Sequence, residues 1–216
     1  MQSVNQTEET SAINLRRIEF FLDSKKWVRD AEASFLAAGE YNENYHIASS
    51  DGRQFVFRIN RGSQLALENQ IQYEYLALES LSSSGVTPQP FFFDPAPNEF
   101  DAGVLLMEFL PGRALQYETD SGKAAIVFSK THQIPPSPAL IRQPDPVAEI
   151  IRESEGLLAR YPHHPRTEIN NRLREYADTL KSRYQNSEKI FIDDIQCIVN
   201  TEVNSGNFLI HDGKAA

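Results

Sequence analysis

Ile198-Val199-Asn200-Thr201-Glu202-Val203-Asn204-Ser205-Gly206-Asn207-Phe208-Leu209-Ile210 is an apolar run that enters a polar loop and leaves it as a second apolar run. Short apolar runs bounded by Asn, Ser and Gly read as strands joined by a turn. Within the loop a carboxylate, Glu202, and a carboxamide, Asn207, stand five residues apart. That spacing has a second reading. Phosphoryl transfer uses a carboxylate to position the attacking hydroxyl and an amide oxygen to bind magnesium. The segment alone leaves both readings open, because Asn, Ser and Gly are also the ordinary residues of turns.

Upstream, residues 33–59 alternate. Phe35 and Ala37 form one run that Gly39 ends, and Tyr45 and Ile47 form a second. Ser50-Asp51-Gly52 marks a hairpin, since Asp-Gly accepts the positive φ angles such a turn needs. Phe55, Val56, Phe57 and Ile59 make a third, strongly apolar strand. Residues 65–81 place Leu67, Ile71, Tyr75, Leu78 and Leu81 on one helical face, stopped by Ser82-Ser83-Ser84-Gly85. Phe91-Phe92-Phe93 and residues 103–110 are two further strands, closed by Pro111-Gly112.

The remainder is mainly helical, with helices over 124–132, 146–161 and 167–184 and a stiff proline linker at 135–146. Residues 195–199 read as a strand in which Cys197 is a buried small hydrophobe. A short amphipathic helix is expected over 13–22, and residues 1–11 read as a loose polar arm.

Composition narrows the function. The 216 residues carry a formal net charge of −9, with 40% apolar residues. A nucleic-acid binder working by charge alone would need a basic footprint, so nucleic acid is not an expected partner. No apolar stretch approaches the ~20 residues of a membrane span. One cysteine permits no internal disulfide, and a reducing cytoplasm fits best. No P-loop or Gly-x-Ser-x-Gly elbow occurs, and His163-His164 in a Pro-bounded loop lacks further ligands for a metal. Gly39-Glu40-Tyr41-Asn42-Glu43-Asn44 reads as a turn, or as a cover over phosphates through backbone N–H groups. Arg58 is a cation between Phe57 and Ile59 in an apolar strand. It is either solvated at an edge or paired with Glu74 in the next helix, because unpaired burial is costly.

In this order the elements resemble the aminoglycoside phosphotransferase and choline kinase family, from about residue 33 to 213. The resemblance implies an α+β, protein-kinase-like two-lobed fold. Its N-terminal lobe, residues 1–110, holds a five-stranded antiparallel sheet and one helix. Its C-terminal lobe, residues 111–216, is mostly helical and incomplete. Asn200, Glu202 and Asn207 stand where the family carries His-x-Asp and, after four intervening residues, Asn. Glu202 is then the catalytic carboxylate and Asn207 the magnesium ligand. Arg58 stands at the place of the strand-three lysine that holds the α- and β-phosphates, and Glu74 at that of its helix partner. Leu106-Met107-Glu108-Phe109-Leu110-Pro111-Gly112 looks like the hinge, where backbone groups around Glu108 and Leu110 hold adenine. Gly39, Asn42 and Asn44 belong to the loop over the phosphates. Thr131-His132 closes the next helix in a structural role. The implied cofactors are ATP and Mg2+. The implied partner is a small-molecule substrate, which the acidic balance would favour as a cation.

Departures qualify these expectations. Glu202 is one methylene longer than aspartate, ~1.5 Å, and a misplacement near ~1 Å can cost about 100-fold in rate. Asn200 replaces histidine, and Arg58 offers a planar fork instead of a compact ammonium. The family's second magnesium ligand lies on a return strand after the turn that Asp212-Gly213 would make. No return strand is read before Ala216, and the helices of the substrate wall would follow it. A truncated chain is therefore expected, with an unpaired strand at 207–211 that invites self-association. A non-catalytic, pseudokinase-like nucleotide-binding module or an inert fragment is the alternative.

Overall fold

The computed structural model describes residues 2–63, 67–160, 167–200 and 204–216. Five strands form one antiparallel sheet: β1 (Glu32–Ala38), β2 (Asn42–Ala48), β3 (Gln54–Asn60), β4 (Pro90–Asp94) and β5 (Gly103–Glu108). Their order is β1-β2-β3-β5-β4, so β3 sits at the centre. That position explains its composition. A central strand covered on both faces is apolar at consecutive positions, and β3 is buried at Phe55, Val56, Phe57 and Ile59.

The period of two sorts these side chains between the faces. Phe55, Phe57 and Ile59 of β3, with Val104 and Leu106 of β5, pack against Ile18, Phe21 and Leu22 of α1 (Gln2–Lys25). Val56, Leu105 and Met107 face the other way, onto Ile71, Tyr75 and Leu78 of α2 (Gln70–Leu81). Arg58 lies two residues beyond Val56 and shares its face. The alternation therefore aims the guanidinium at α2.

Several boundaries differ from expectation. The α1 helix runs from Gln2, not from residue 13. Its early residues show no apolar period, but the second half is anchored on the sheet, and helix propagation from a fixed nucleus costs little. The α2 helix begins at Gln70, where the Asn69 side chain accepts a hydrogen bond from the Gln72 N–H; the expected start at Leu65 lies outside the described residues. Gly85, at φ 66°, ends the turn that follows α2. The hairpin between β2 and β3 closes as expected, with Gly52 at φ 85°.

After the sheet come β6 (Arg113–Ala114), α3 (Tyr117–His132), α4 (Pro146–Arg160), α5 (Thr167–Arg183) and α6 (Glu188–Phe191). The short α6 is absent from the sequence reading. The strand expected over 195–199 does not form: no ladder partner meets it among the described residues, and Ile195 is 94% exposed. Cys197 is exposed, not buried. Apolar content alone does not make a strand when nothing supplies the hydrogen bonds.

The return strand is present. β7 (Leu209–His211) turns at Asp212 (φ 47°) and Gly213 (φ 76°) into β8 (Lys214–Ala215). β7 is flanked by β6 and β8, so the expectation of an unpaired strand at 207–211 is overturned. The chain divides into two compact units, Met1–Leu140 with Cys197–Ala216, and Ile141–Gln196. The second contains α4 and α5, tied to each other by the Lys181–Glu155 ion pair at 2.6 Å. Among the described residues, no helix is long and apolar enough to cross a membrane.

Candidate active site

Arg58 is paired, as one of its two readings required. Its Nη1 donates to Glu74 Oε2 at 2.7 Å and its Nε to Asn44 Oδ1 at 2.9 Å. Asn44 is the cross-strand neighbour of Arg58 in the β2–β3 register, so the two side chains stand on the same face. The Arg58 and Glu74 side chains retain 26% and 17% of their exposure. The pair is thus half-withdrawn from water, and Nη2 has no partner among the described residues.

The loop between β1 and β2 is short and tied down. The Gly39 N–H donates to the Asn42 carbonyl at 2.9 Å, and the Arg61 N–H to the Tyr41 carbonyl at 2.7 Å. Asn42 Oδ1 accepts from Asn60 Nδ2 at 2.8 Å. The side chains of Asn42 and Asn44 are therefore engaged within the protein. A β-carbon at Gly39 would meet no protein atom within 4 Å, whereas one at Gly62 would lie 2.7 Å from Tyr41 Cδ1. Gly62 is thus the glycine that packing requires, since the Tyr41 ring rests on it.

The hinge segment follows β5. Glu108 exchanges two hydrogen bonds with Gln89: its N–H donates to the Gln89 carbonyl at 2.8 Å, and its Oε2 accepts from the Gln89 N–H at 3.1 Å. Its carboxylate thus braces the end of the sheet. Leu110 is half-buried just beyond the ladder. Gly112 has φ 153°, and a β-carbon there would lie 3.0 Å from the Ile210 carbonyl oxygen of β7. This close approach seats the hinge on the strand that leaves the polar loop.

That loop is anchored from below. Phe208 and Ile210 are buried with Val86, Leu115 and Val127. The Leu115 N–H is shared between the Ser205 and Phe208 carbonyls, at 3.3 Å each. Asn204 caps the 3-10 turn at Ser205–Asn207 by accepting from the Gly206 N–H at 2.9 Å. Asn207 ends that turn with an exposed side chain, and Asn200 is also exposed. Glu202 lies outside the described residues, as do His163 and His164. His132 ends α3, exposed, with its ring centroid 6.0 Å from that of Phe128.

With this geometry in place, comparison with known proteins is decisive. A family model described as the phosphotransferase enzyme family matches residues 32–216. The chain belongs to that family. Among solved structures, amicoumacin kinase hAmiN, determined with AMP-PNP, Ca2+ and Ami, aligns with a TM-score of 0.54 at 20% identity, over 91% of this chain and 61% of that one. A macrolide 2'-phosphotransferase type I aligns with a TM-score of 0.54 at 14% identity, over 93% of this chain and 68% of that one. The chain therefore spans roughly two thirds of the length of these structures or less. At such identities the likeness is one of fold: a kinase-like phosphotransferase fold. No curated protein sequence matches the chain significantly.

One charged cluster of this family member was missed in the sequence. Asp120, 1% exposed in the first turn of α3, accepts from Arg113 Nη1 at 2.7 Å, Lys123 Nζ at 2.6 Å and the Gln116 N–H at 3.1 Å. It binds β6 to α3 through Arg113. The Arg113 guanidinium, then Lys123 and the Gln116 N–H, hold its carboxyl far below the usual carboxylate range. The sign is that of a depressed acid. The stabilisation is complete above the unfolded value of 3.8 and is lost as pH falls below it. In acid titrations followed by thermal unfolding, Asp120→Asn is expected to be less stable than the parent at pH 7, with the gap narrowing below about pH 4. A constant gap would contradict this role.

Proposed function

We propose that the chain carries an ATP-dependent phosphotransferase site acting on a hydroxyl group of a small molecule. Its N-terminal lobe would comprise residues 1–110, with the catalytic loop in the lobe that begins at residue 111. The observation that carries the reading is the Arg58–Glu74 pair on the α2 side of the sheet, within the segment that matches the family.

The donor set fits nucleotide phosphates. Arg58 is cationic, half-buried and held by two acceptors, with Nη2 still able to donate. Gly39 leaves open space above the β1–β2 loop, which suits close approach of a phosphate to the backbone. Among the described residues no three His, Cys, Asp or Glu side chains converge on a metal position. A divalent cation would enter with the nucleotide and stay bound mainly by phosphates and water, as magnesium does. Asn207 would add one amide oxygen. The hAmiN structure, solved with AMP-PNP and Ca2+, supports a nucleotide and a divalent cation as a class.

Glu202 would accept the proton of the acceptor hydroxyl as its oxygen attacks the γ-phosphorus, with ADP as leaving group. Arg58 would offset charge on the phosphates, and Glu74 keeps it in place. The backbone around Glu108 and Leu110 would receive adenine. The net charge of −9 favours a cationic acceptor. A cytoplasmic setting fits the single Cys197. The second reading, a nucleotide-binding module without turnover, draws on Asn200 and Glu202 standing in place of histidine and aspartate.

Transfer from γ-labelled ATP to a panel of cationic, hydroxylated small molecules separates the two. The expected result is labelled product for at least one acceptor, abolished by EDTA and restored by excess Mg2+. Nucleotide binding with no transfer to any acceptor would favour the module.

A further inference from the structure

Behind the Arg58–Glu74 pair runs a line of hydrogen bonds whose direction is fixed by chemistry. The Leu67 N–H donates to Ser63 Oγ at 2.9 Å. An amide N–H has no other option, so the Ser63 oxygen is the acceptor there. The Ser63 proton is then free to go to Gln70 Oε1, 2.7 Å away. This sets the orientation of the Gln70 carboxamide, which turns its Nε2 to Glu74 Oε1 at 3.1 Å. Glu74 only accepts, and its other oxygen takes Nη1 of Arg58 at 2.7 Å. Arg58 completes the line by donating Nε to Asn44. All of these side chains are partly buried, where competing water is reduced.

We propose that Gln70, oriented by Ser63, is a positioning residue that places the Arg58 guanidinium by fixing the Glu74 carboxylate. The inference rests on the nucleotide reading above and extends it to residues that touch no phosphate. Gln70 opens α2, so it also couples the start of that helix to the loop leaving β3. Without Gln70, Glu74 keeps one anchor instead of two and its carboxylate is able to rotate. Arg58 then samples several placements, and only some present Nη2 toward a phosphate.

The test uses the whole chain with Gln70→Leu, which is one bond shorter at its branched tip and removes both polar groups. ATP affinity in the presence of Mg2+ is expected to fall roughly tenfold, as for loss of a hydrogen bond to a charged group. In an Arg58→Ala background the same change is expected to have no further effect on affinity. A merely structural role would leave ATP affinity unchanged in the parent background, and that result overturns the proposal. A second readout is independent of nucleotide: proton exchange at Arg58 Nε–H, followed by NMR in the free protein. Faster exchange in Gln70→Leu than in the parent supports the positioning role, and equal rates contradict it. If the folded parent binds no nucleotide, the functional reading fails, and the exchange rates still decide whether Gln70 places Arg58.

Discussion

Phe57→Ala is expected to destabilise the protein by about 3–5 kcal/mol, the range for truncating a fully buried aromatic side chain. Phe57 is 0% exposed at the centre of the sheet. Its ring meets Phe21 of α1 at 5.9 Å and Phe100 at 5.7 Å between centroids. Phe21 in turn packs edge-on against Trp27 and Phe100. Loss of the Phe57 ring therefore leaves a cavity between two elements, which neither can close without leaving its other contacts. Trp27 is the sole tryptophan and touches this cluster, so its fluorescence reports the unfolding directly. Denaturant titration of parent and variant measures the difference. A change below about 1 kcal/mol would mean that α1 does not pack on the sheet as described.

Glu202→Gln is expected to lower phosphoryl transfer by about 10²–10⁴-fold while nucleotide affinity stays near that of the parent. Glutamine preserves length and hydrogen bonding but cannot take up the proton of the acceptor hydroxyl. The neighbouring backbone is well held, with Asn204 capping the turn and Phe208 buried beneath it. The substitution should therefore act on chemistry and not on folding. Glu202→Asp is the informative control. It restores the shorter carboxylate usual in the family, and detectable transfer by this variant is expected. Equal turnover in the parent and Glu202→Gln would remove Glu202 from the mechanism.

The legibility of this molecule in its sequence follows the range of the interactions. The β2–β3 hairpin was readable because Asp51-Gly52 and the flanking alternation are local. The Arg58–Glu74 pair was readable because a cation inside Phe57-Arg58-Ile59 demands a partner, and the next helix offers one. Asp120 escaped because the sequence shows a helical pattern only over 124–132, and Asp120 lies before it. The observed helix begins at Tyr117, with Glu118 and Asp120 in its first turn. Residues 195–199 misled in the opposite sense, since an apolar run looks like a strand whether or not a partner strand is at hand. The paired state of β7 depended on β6 and β8, each only two residues long and too short to show a pattern. The line from Leu67 through Ser63 and Gln70 to Glu74 consists of polar side chains without periodicity. Only their arrangement in space distinguishes it from an ordinary solvated surface.

Calorimetric titration of the folded protein with magnesium-ATP tests the central claim most directly. Saturable binding of one nucleotide per chain is predicted, weakened by at least tenfold in Arg58→Ala, where Glu74 loses its cationic partner. A folded parent that takes up no magnesium-ATP, or binding that is indifferent to Arg58, would contradict it.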